Sequence, residues 1–157
     1  MENSGRPITV MTLVVVHNDH SVLLGMKKRG LGEGKWNGFG GKVQEGESVE
    51  ESASRELKEE AGVAPLDMRK RGMLSFDIAG HPSFLEVHVF SASRLEGEPR
   101  ETEEMRPQWF SLGEIPFHAM WADDSYWMPL LIAGKNFEGR FYFKDYDTVG
   151  NYELKEV

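Results

Sequence analysis

The sequence predicts an α/β fold, a mixed and mostly antiparallel sheet sandwiched with two helices. Short apolar or alternating runs bounded by Gly, Pro, Asn and Asp recur along the chain, one amphipathic helix with clear ends interrupts them, and no repeat or low-complexity tract breaks the pattern. Ile8 to Val16 is apolar nearly throughout, so it is expected as a central strand covered on both faces. His17-Asn18-Asp19-His20 reads as a turn, and Ser21 to Lys28 as the returning strand. Gly30 to Gly46 holds seven glycines in seventeen residues and is expected as a loop with backbone demands. A helix from Ser48 to about Ala61 follows, because Ser48 and Glu51 form a capping box and Gly62 supplies the stop. Gly72 to Ile78 and Phe84 to Ser91 predict an antiparallel hairpin, and Met105 to Phe110 an edge strand whose pairing Pro107 limits. Asp124 to Ala133 reads as a second helix, and Phe137 to Lys144 with Tyr152 to Glu156 as a last strand pair.

At 157 residues and 39% apolar, one domain over 1–157 is expected, large enough to bury a core without staples. The absence of cysteine excludes disulfides and thiolate chemistry and fits a reducing compartment. The start shows no targeting pattern, and the longest apolar run, Val10 to Val16, is too short to span a bilayer. The expectation is a cytoplasmic protein, monomeric and away from membranes, with a mitochondrial or nuclear fraction left open. A formal charge of −8 argues against binding a nucleic-acid polymer. A small phosphate ligand would have to be drawn by something other than net charge, and carboxylate-held divalent cations are the natural candidate.

The acids of the first helix point to such a site. At roughly 100° per residue, with Val49 at zero, Ala53 and Leu57 fall near +40° and +80°, Glu56 and Glu60 near −20° and +20°, and Glu59 near −80°. Two carboxylates thus lie within the apolar stripe and a third borders it. They also sit in the last turns, where the helix dipole disfavours negative charge, and they repel one another at three- and four-residue spacing. A divalent cation would reverse that local field. Oxygen-only ligands favour Mg²⁺, with Mn²⁺ as a substitute, over Zn²⁺. The alternative is a solvated acidic helix with Arg55 and Lys58 as partners.

The run from Gly41 to Val63 resembles the complete box of the Nudix hydrolase family, G-x5-E-x7-R-E-U-x-E-E-x-G-U, on Gly41, Glu47, Arg55, Glu56, Leu57, Glu59, Glu60, Gly62 and Val63. Seven fixed and two restricted positions over twenty-three residues make this a specific match. WNGFGGKVQEGE, the stretch Glu103 to Pro107 and the stretch Met120 to Trp127 extend the likeness to the MutT-like oxidised-purine nucleoside triphosphatases within that family. The resemblance implies a Nudix α/β/α sandwich and Mg²⁺-dependent cleavage of nucleoside triphosphates to monophosphate and pyrophosphate. Glu56, Glu59, Glu60, Glu104 and the Gly40 carbonyl would hold the metal, Arg55 would orient the acids, and Glu47 would brace the loop. Which of Glu56, Glu59, Glu60 and Glu104 acts as general base stays open, and Glu104 could equally be one more acid of the exposed run Glu101 to Glu104. Lys27 either approaches a phosphate or ends a solvated strand. Gly30 to Trp36 has neither the spacing nor the following Ser/Thr of a P-loop.

Substrate choice must come from elsewhere. An indole face at Trp121 can stack on a purine, and the carboxyls of Asp123 and Asp124 can meet its Watson–Crick edge. The resemblance implies this role, with Asn37 on the opposite part of the base and Thr12, Phe76, Met105, Trp127 and Phe143 shaping the walls. Adjacent carboxyls in a partly dry pocket cannot both stay charged cheaply, so one is expected to hold a proton near neutral pH. Exchanging which one holds it would accommodate both 8-oxoguanine and 2-oxoadenine. The plain alternatives are a helix cap at Asp123 or Asp124 with Trp121 as a staple, a tight turn at Asn37-Gly38, and core packing of the remaining aromatics. Leu31 and Leu85 depart from the aromatic and the methionine of mammalian members, which bears on substrate ranking. A Nudix hydrolase of ADP-ribose or dinucleoside polyphosphates would leave Trp121, Asp123 and Asp124 unexplained, and a non-catalytic nucleotide sensor would not need the full acidic set.

Overall fold

A computed structural model describes residues 5–157. Strands β1 (Ile8–His17), β2 (Ser21–Lys27), β3 (Trp36–Asn37) and β4 (Phe39–Lys42) lead into helix α1 (Val49–Ala61). Strands β5 (Ala64–Pro65), β6 (Arg69–Ile78), β7 (Phe84–Ala92), β8 (Leu95–Glu96) and β9 (Met105–Ser111) follow, then helix α2 (Asp124–Ile132) and the pair β10 (Phe137–Asp145) and β11 (Thr148–Glu156). Nine strands form one sheet with the path β11-β10-β6-β7-β1-β2-β3, to which β4 adds on β1 and β9 on β2. The pairs β1–β7 and β10–β6 are parallel and the others antiparallel, as a mixed sheet requires.

The two helices take opposite faces because β1 is apolar on both. Val14 and Val16 pack with Leu23, Phe90 and the α1 residues Ala53, Leu57 and Ala61. Val15, one residue out of phase, packs with Leu74, Phe137, Phe141 and the α2 residues Trp127, Met128 and Leu131. Helix α1 begins and ends where its caps dictate. The Ser48 side chain accepts from the Glu51 N–H, Glu51 reaches back to the Ser48 N–H, and Gly62 closes the helix at φ 75°. We expect Ser48→Ala to lower stability by about 1 kcal/mol, read from the midpoint of denaturant unfolding, without altering the sheet.

The glycine-rich stretch departs from the expected loop. Strand β1 pairs with β2 only at Val16 and His17, and the two then splay apart. Into the gap come β3, which continues the ladder on Gly25 and Met26, and β4, which pairs with Met11 to Val14. At Gly38 and Gly40 only glycine fits. A Cβ on Gly40 would stand 1.8 Å from the Thr12 carbonyl oxygen, and one on Gly38 2.7 Å from that of Val14. Glycine here serves close backbone approach within a sheet. The expected limit at Pro107 is also relaxed, since β9 runs its seven residues along β2 with Pro107 opposite Gly25.

Candidate functional site

The splay between β1 and β2 opens a cavity of about 320 Å³, within the range of small-molecule sites. Met11, Thr12 and Leu13 of β1 line it, with Asn37, Gly38, Gly40 and Gly41 across the gap, Phe76 and Ile78 of β6, Leu85 and Val87 of β7, and Phe143 of β10. Lys27, Glu60 and Met105 lie at one side, and Trp121, Asp123 and Asp124 at another. Acidic helix and aromatic-carboxyl cluster, some sixty residues apart in sequence, therefore share one cavity.

On the metal side, Glu60 is 3% exposed on the buried stripe of α1, and its Oε1 accepts the Gly40 N–H at 2.8 Å. Burial pushes its pKa up to about 8, opposed by that hydrogen bond and the Lys27 charge and reinforced by Glu56 and Glu104. The carboxylate of Glu56 lies against Gly41, where a Cβ would stand 2.7 Å away, and accepts from Arg55 at 2.8 Å. Arg55 also donates twice to Glu47, at 2.7 and 3.0 Å, and to Glu59 at 3.2 Å. The Arg55 bonds and the Gln44 N–H hold the Glu47 carboxyl down to about 2. Glu47 thus ties the loop to the helix through Arg55, which distributes its charge over the box acids.

Glu59 stands at the border of the stripe, as its angle implies, with its side chain 55% exposed. Among the described residues, no three His, Cys, Asp or Glu side chains form a group that could hold a metal as they stand. Arg55 draws Glu56 aside, and Arg29 draws Glu104, at 2.8 and 2.6 Å. The donor set nevertheless fits a hard divalent cation, since Glu60 is a buried carboxylate in a field made unfavourable by two neighbouring acids, which a positive ion would relieve. Lys27 is no solvated strand end. Its Nζ lies 3.9 Å from both Glu60 and Glu104, facing the cavity.

On the base side, Asp123 and Asp124 are 4% and 2% exposed. Burial raises the pKa of both, Asp123 to about 6, where the Trp127 hydrogen bond opposes the rise, and Asp124 well above the usual carboxyl range, with the Asp123 charge adding to it. Asp123 occupies the N-cap position of α2 without capping; its Oδ2 accepts from the Trp127 indole N–H at 2.7 Å. Asp124 Oδ2 is buried with no protein partner. A buried polar atom left unsatisfied is unfavourable unless a ligand pairs with it. Helix capping therefore does not explain this pair.

Thr12, Lys27, Asn37, Phe76, Met105, Trp121, Asp123, Asp124 and Phe143 all reach the cavity wall. Asn37 Oδ1 accepts its own Gly38 N–H at 2.9 Å, which fixes the amide beside the cavity. Trp127 does not reach it. Its ring is fully buried and stacks on Phe137, and only its N–H arrives at the site, through Asp123. Thr12 is buried, with its hydroxyl 3.5 Å from that of Ser52. Sequence reasoning missed the aliphatic walls Met11, Leu13, Ile78 and Val87, which the two-residue period of their strands could have flagged. It also missed Lys35, Tyr146 and Asp147 around Trp121, for which no local signal exists. Leu31 and Leu85 both line the cavity, Leu31 at its exposed mouth.

Among the described residues, no helix is long and apolar enough to cross a membrane. The chain is 56% identical over 146 residues to the oxidized purine nucleoside triphosphate hydrolase of Mus musculus, covering 93% of this chain and 94% of that one. It is 51% identical over 148 residues to the protein of the same description in Danio rerio, covering 94% and 95%. Its fold is similar to the crystal structure of a MutT mutator protein from Bacillus halodurans, with a TM-score of 0.83, 26% identity and coverage of 94% and 97%. The NUDIX domain description matches residues 6–131, which hold the splayed strands, the acidic helix and the Trp121 cluster, and the chain belongs to the Nudix family.

Proposed function

We propose that this protein hydrolyses oxidised purine nucleoside triphosphates, 8-oxo-dGTP and 2-oxo-dATP among them, to the monophosphate and pyrophosphate, and so keeps damaged purines out of the pool used for DNA synthesis. The observation that carries the reading is the buried Asp123–Asp124 pair, with an unsatisfied oxygen, in the same cavity as the acidic face of α1. The names of the mouse and zebrafish relatives support it.

In this reading the purine stacks on Trp121, Asp123 accepts a hydrogen bond from its edge, and protonated Asp124 donates one. Trp127 can only donate, so it favours the ionised form at Asp123 and leaves the proton to Asp124. Asn37 meets the opposite part of the base. Lys27, between Glu60 and Glu104, reaches the triphosphate where it passes from base cavity to helix. Glu56, Glu60, Glu104 and the Gly40 carbonyl would hold Mg²⁺, or Mn²⁺ in its place, with Glu59 at the outer edge. Such a cation, once bound, would neutralise phosphate charge and make water a better nucleophile. Arg55, braced by Glu47, keeps Glu56 and Glu59 in place before substrate arrives. A single Nudix unit acting as a cytoplasmic monomer completes the proposal.

The test is product analysis by anion-exchange chromatography with 8-oxo-dGTP, 2-oxo-dATP and ADP-ribose. Monophosphate and pyrophosphate from both oxidised nucleotides, lost with a chelator and restored by Mg²⁺, are expected. Turnover of ADP-ribose alone would remove Trp121, Asp123 and Asp124 from the substrate site.

A further inference from the structure

Trp121 is enclosed by groups that the proposed chemistry does not use. The loop 30–35 turns tightly, with Glu33 N–H donating to the Gly30 carbonyl and Lys35 N–H to that of Gly32. Gly32, at φ 87°, passes so close to the indole that a Cβ there would stand 3.2 Å from Nε1. The Lys35 stem then carries its ammonium over the Trp121 ring, 5.5 Å from the centroid. The ammonium also meets Asp147 Oδ1 at 3.1 Å. Asp147 belongs to the β10–β11 turn, shaped by its N–H donating to Asp145 Oδ1 at 2.8 Å. Beside it, Tyr146 tilts towards Trp121 with ring centroids 6.4 Å apart and rests edge-on to His81 at 6.3 Å.

Two segments over a hundred residues apart thus meet on the indole that closes the cavity. The ion pair alone holds little, because Asp147 is 77% exposed, whereas Lys35 is 26% exposed and its charge lies on an aromatic face. Asp147 aims the ammonium and the indole retains it. The Lys35 charge also reaches Asp124, where it favours the ionised state. Leu31 and Gly32, which line the mouth, are carried by the same loop.

We propose that Lys35 is a positioning residue for base recognition: steered by Asp147, it seats the 30–35 loop on Trp121 and fixes the indole for stacking on the purine. The proposal rests on the reading above, in which the purine lies against Trp121. A role confined to fold or to general phosphate attraction would not discriminate between ligands with and without a base.

The test compares binding of 8-oxo-dGMP and of pyrophosphate, both with Mg²⁺, in the wild type and in Lys35→Met, Lys35→Arg and Asp147→Asn. Lys35→Met is expected to weaken 8-oxo-dGMP about three- to fivefold and to raise KM for 8-oxo-dGTP by the same factor, with kcat within about twofold. Pyrophosphate binding should stay unchanged, Lys35→Arg should restore nucleotide affinity because guanidinium also stacks on indole, and Asp147→Asn should give a smaller loss in the same direction. Wild-type binding of 8-oxo-dGMP that Lys35→Met leaves intact, or an equal loss for pyrophosphate, would overturn this inference alone. A wild type that binds pyrophosphate but not 8-oxo-dGMP would overturn the functional reading and this inference with it.

Discussion

Glu56→Gln is expected to lower kcat for 8-oxo-dGTP on the order of 10³-fold while the protein stays folded. Glutamine matches glutamate in volume, so it still fits against Gly41, and its carbonyl can still accept from Arg55. Arg55 keeps both bonds to Glu47, and the loop stays tied to the helix. What is lost is one negative charge facing a cation and a triphosphate, in a site whose other buried acid, Glu60, is already disfavoured as an anion. The Mg²⁺ concentration for half-maximal activity should rise with the fall in kcat. Circular dichroism and activity measured on the same sample separate the two outcomes, since a variant that loses both would make Glu56 a structural residue. Near wild-type turnover in a folded variant would exclude Glu56 from the metal set.

The second large effect is on substrate choice. Asp124→Asn replaces a carboxyl that holds its proton by an amide that is always neutral and always able to donate, whereas Asp123→Asn leaves one carbonyl oxygen for Trp127 and turns the second acceptor into a donor. The ratio of kcat/KM for 8-oxo-dGTP to that for 2-oxo-dATP should move by at least about tenfold in opposite directions in the two variants, and its pH dependence should flatten in both. Stability supplies an independent readout. Because the folded-state pKa of Asp124 lies well above its unfolded value of about 3.9, its contribution is complete below about pH 4 and is lost as pH rises through the folded value. An asparagine cannot suffer that loss, so Asp124→Asn should gain stability relative to the wild type above about pH 4. Unchanged preference, unchanged pH profile and unchanged stability would together mean that the pair does not share a proton in the folded protein.

The sequence was most informative where local chemistry decides the structure. Ser48, Glu51 and Gly62 set the ends of α1 through contacts within three or four residues, and the angles that put Glu56 and Glu60 within the apolar stripe and Glu59 at its border match side chains 14%, 4% and 55% exposed. It was least informative where distant chain segments meet. Gly38, Gly40 and Gly41 read as loop because nothing local shows that Gly40 must pass within touching distance of the Thr12 carbonyl. Trp127, which the resemblance puts in the cavity wall, instead packs its ring on Phe137 and leaves only its N–H to act. Lys35 and Asp147 have no relation along the chain, and their meeting over Trp121 is a product of tertiary structure alone. The catalytic half of the site was thus legible as a contiguous motif, whereas the specificity half needed the fold to assemble it.

The most direct test of the central claim is the ratio of kcat/KM for 8-oxo-dGTP to that for dGTP, measured in direct competition with Mg²⁺ at neutral pH. A buried carboxyl pair awaiting an oxidised purine edge predicts that 8-oxo-dGTP wins by at least about tenfold. A ratio near one, or a preference for dGTP, would contradict it.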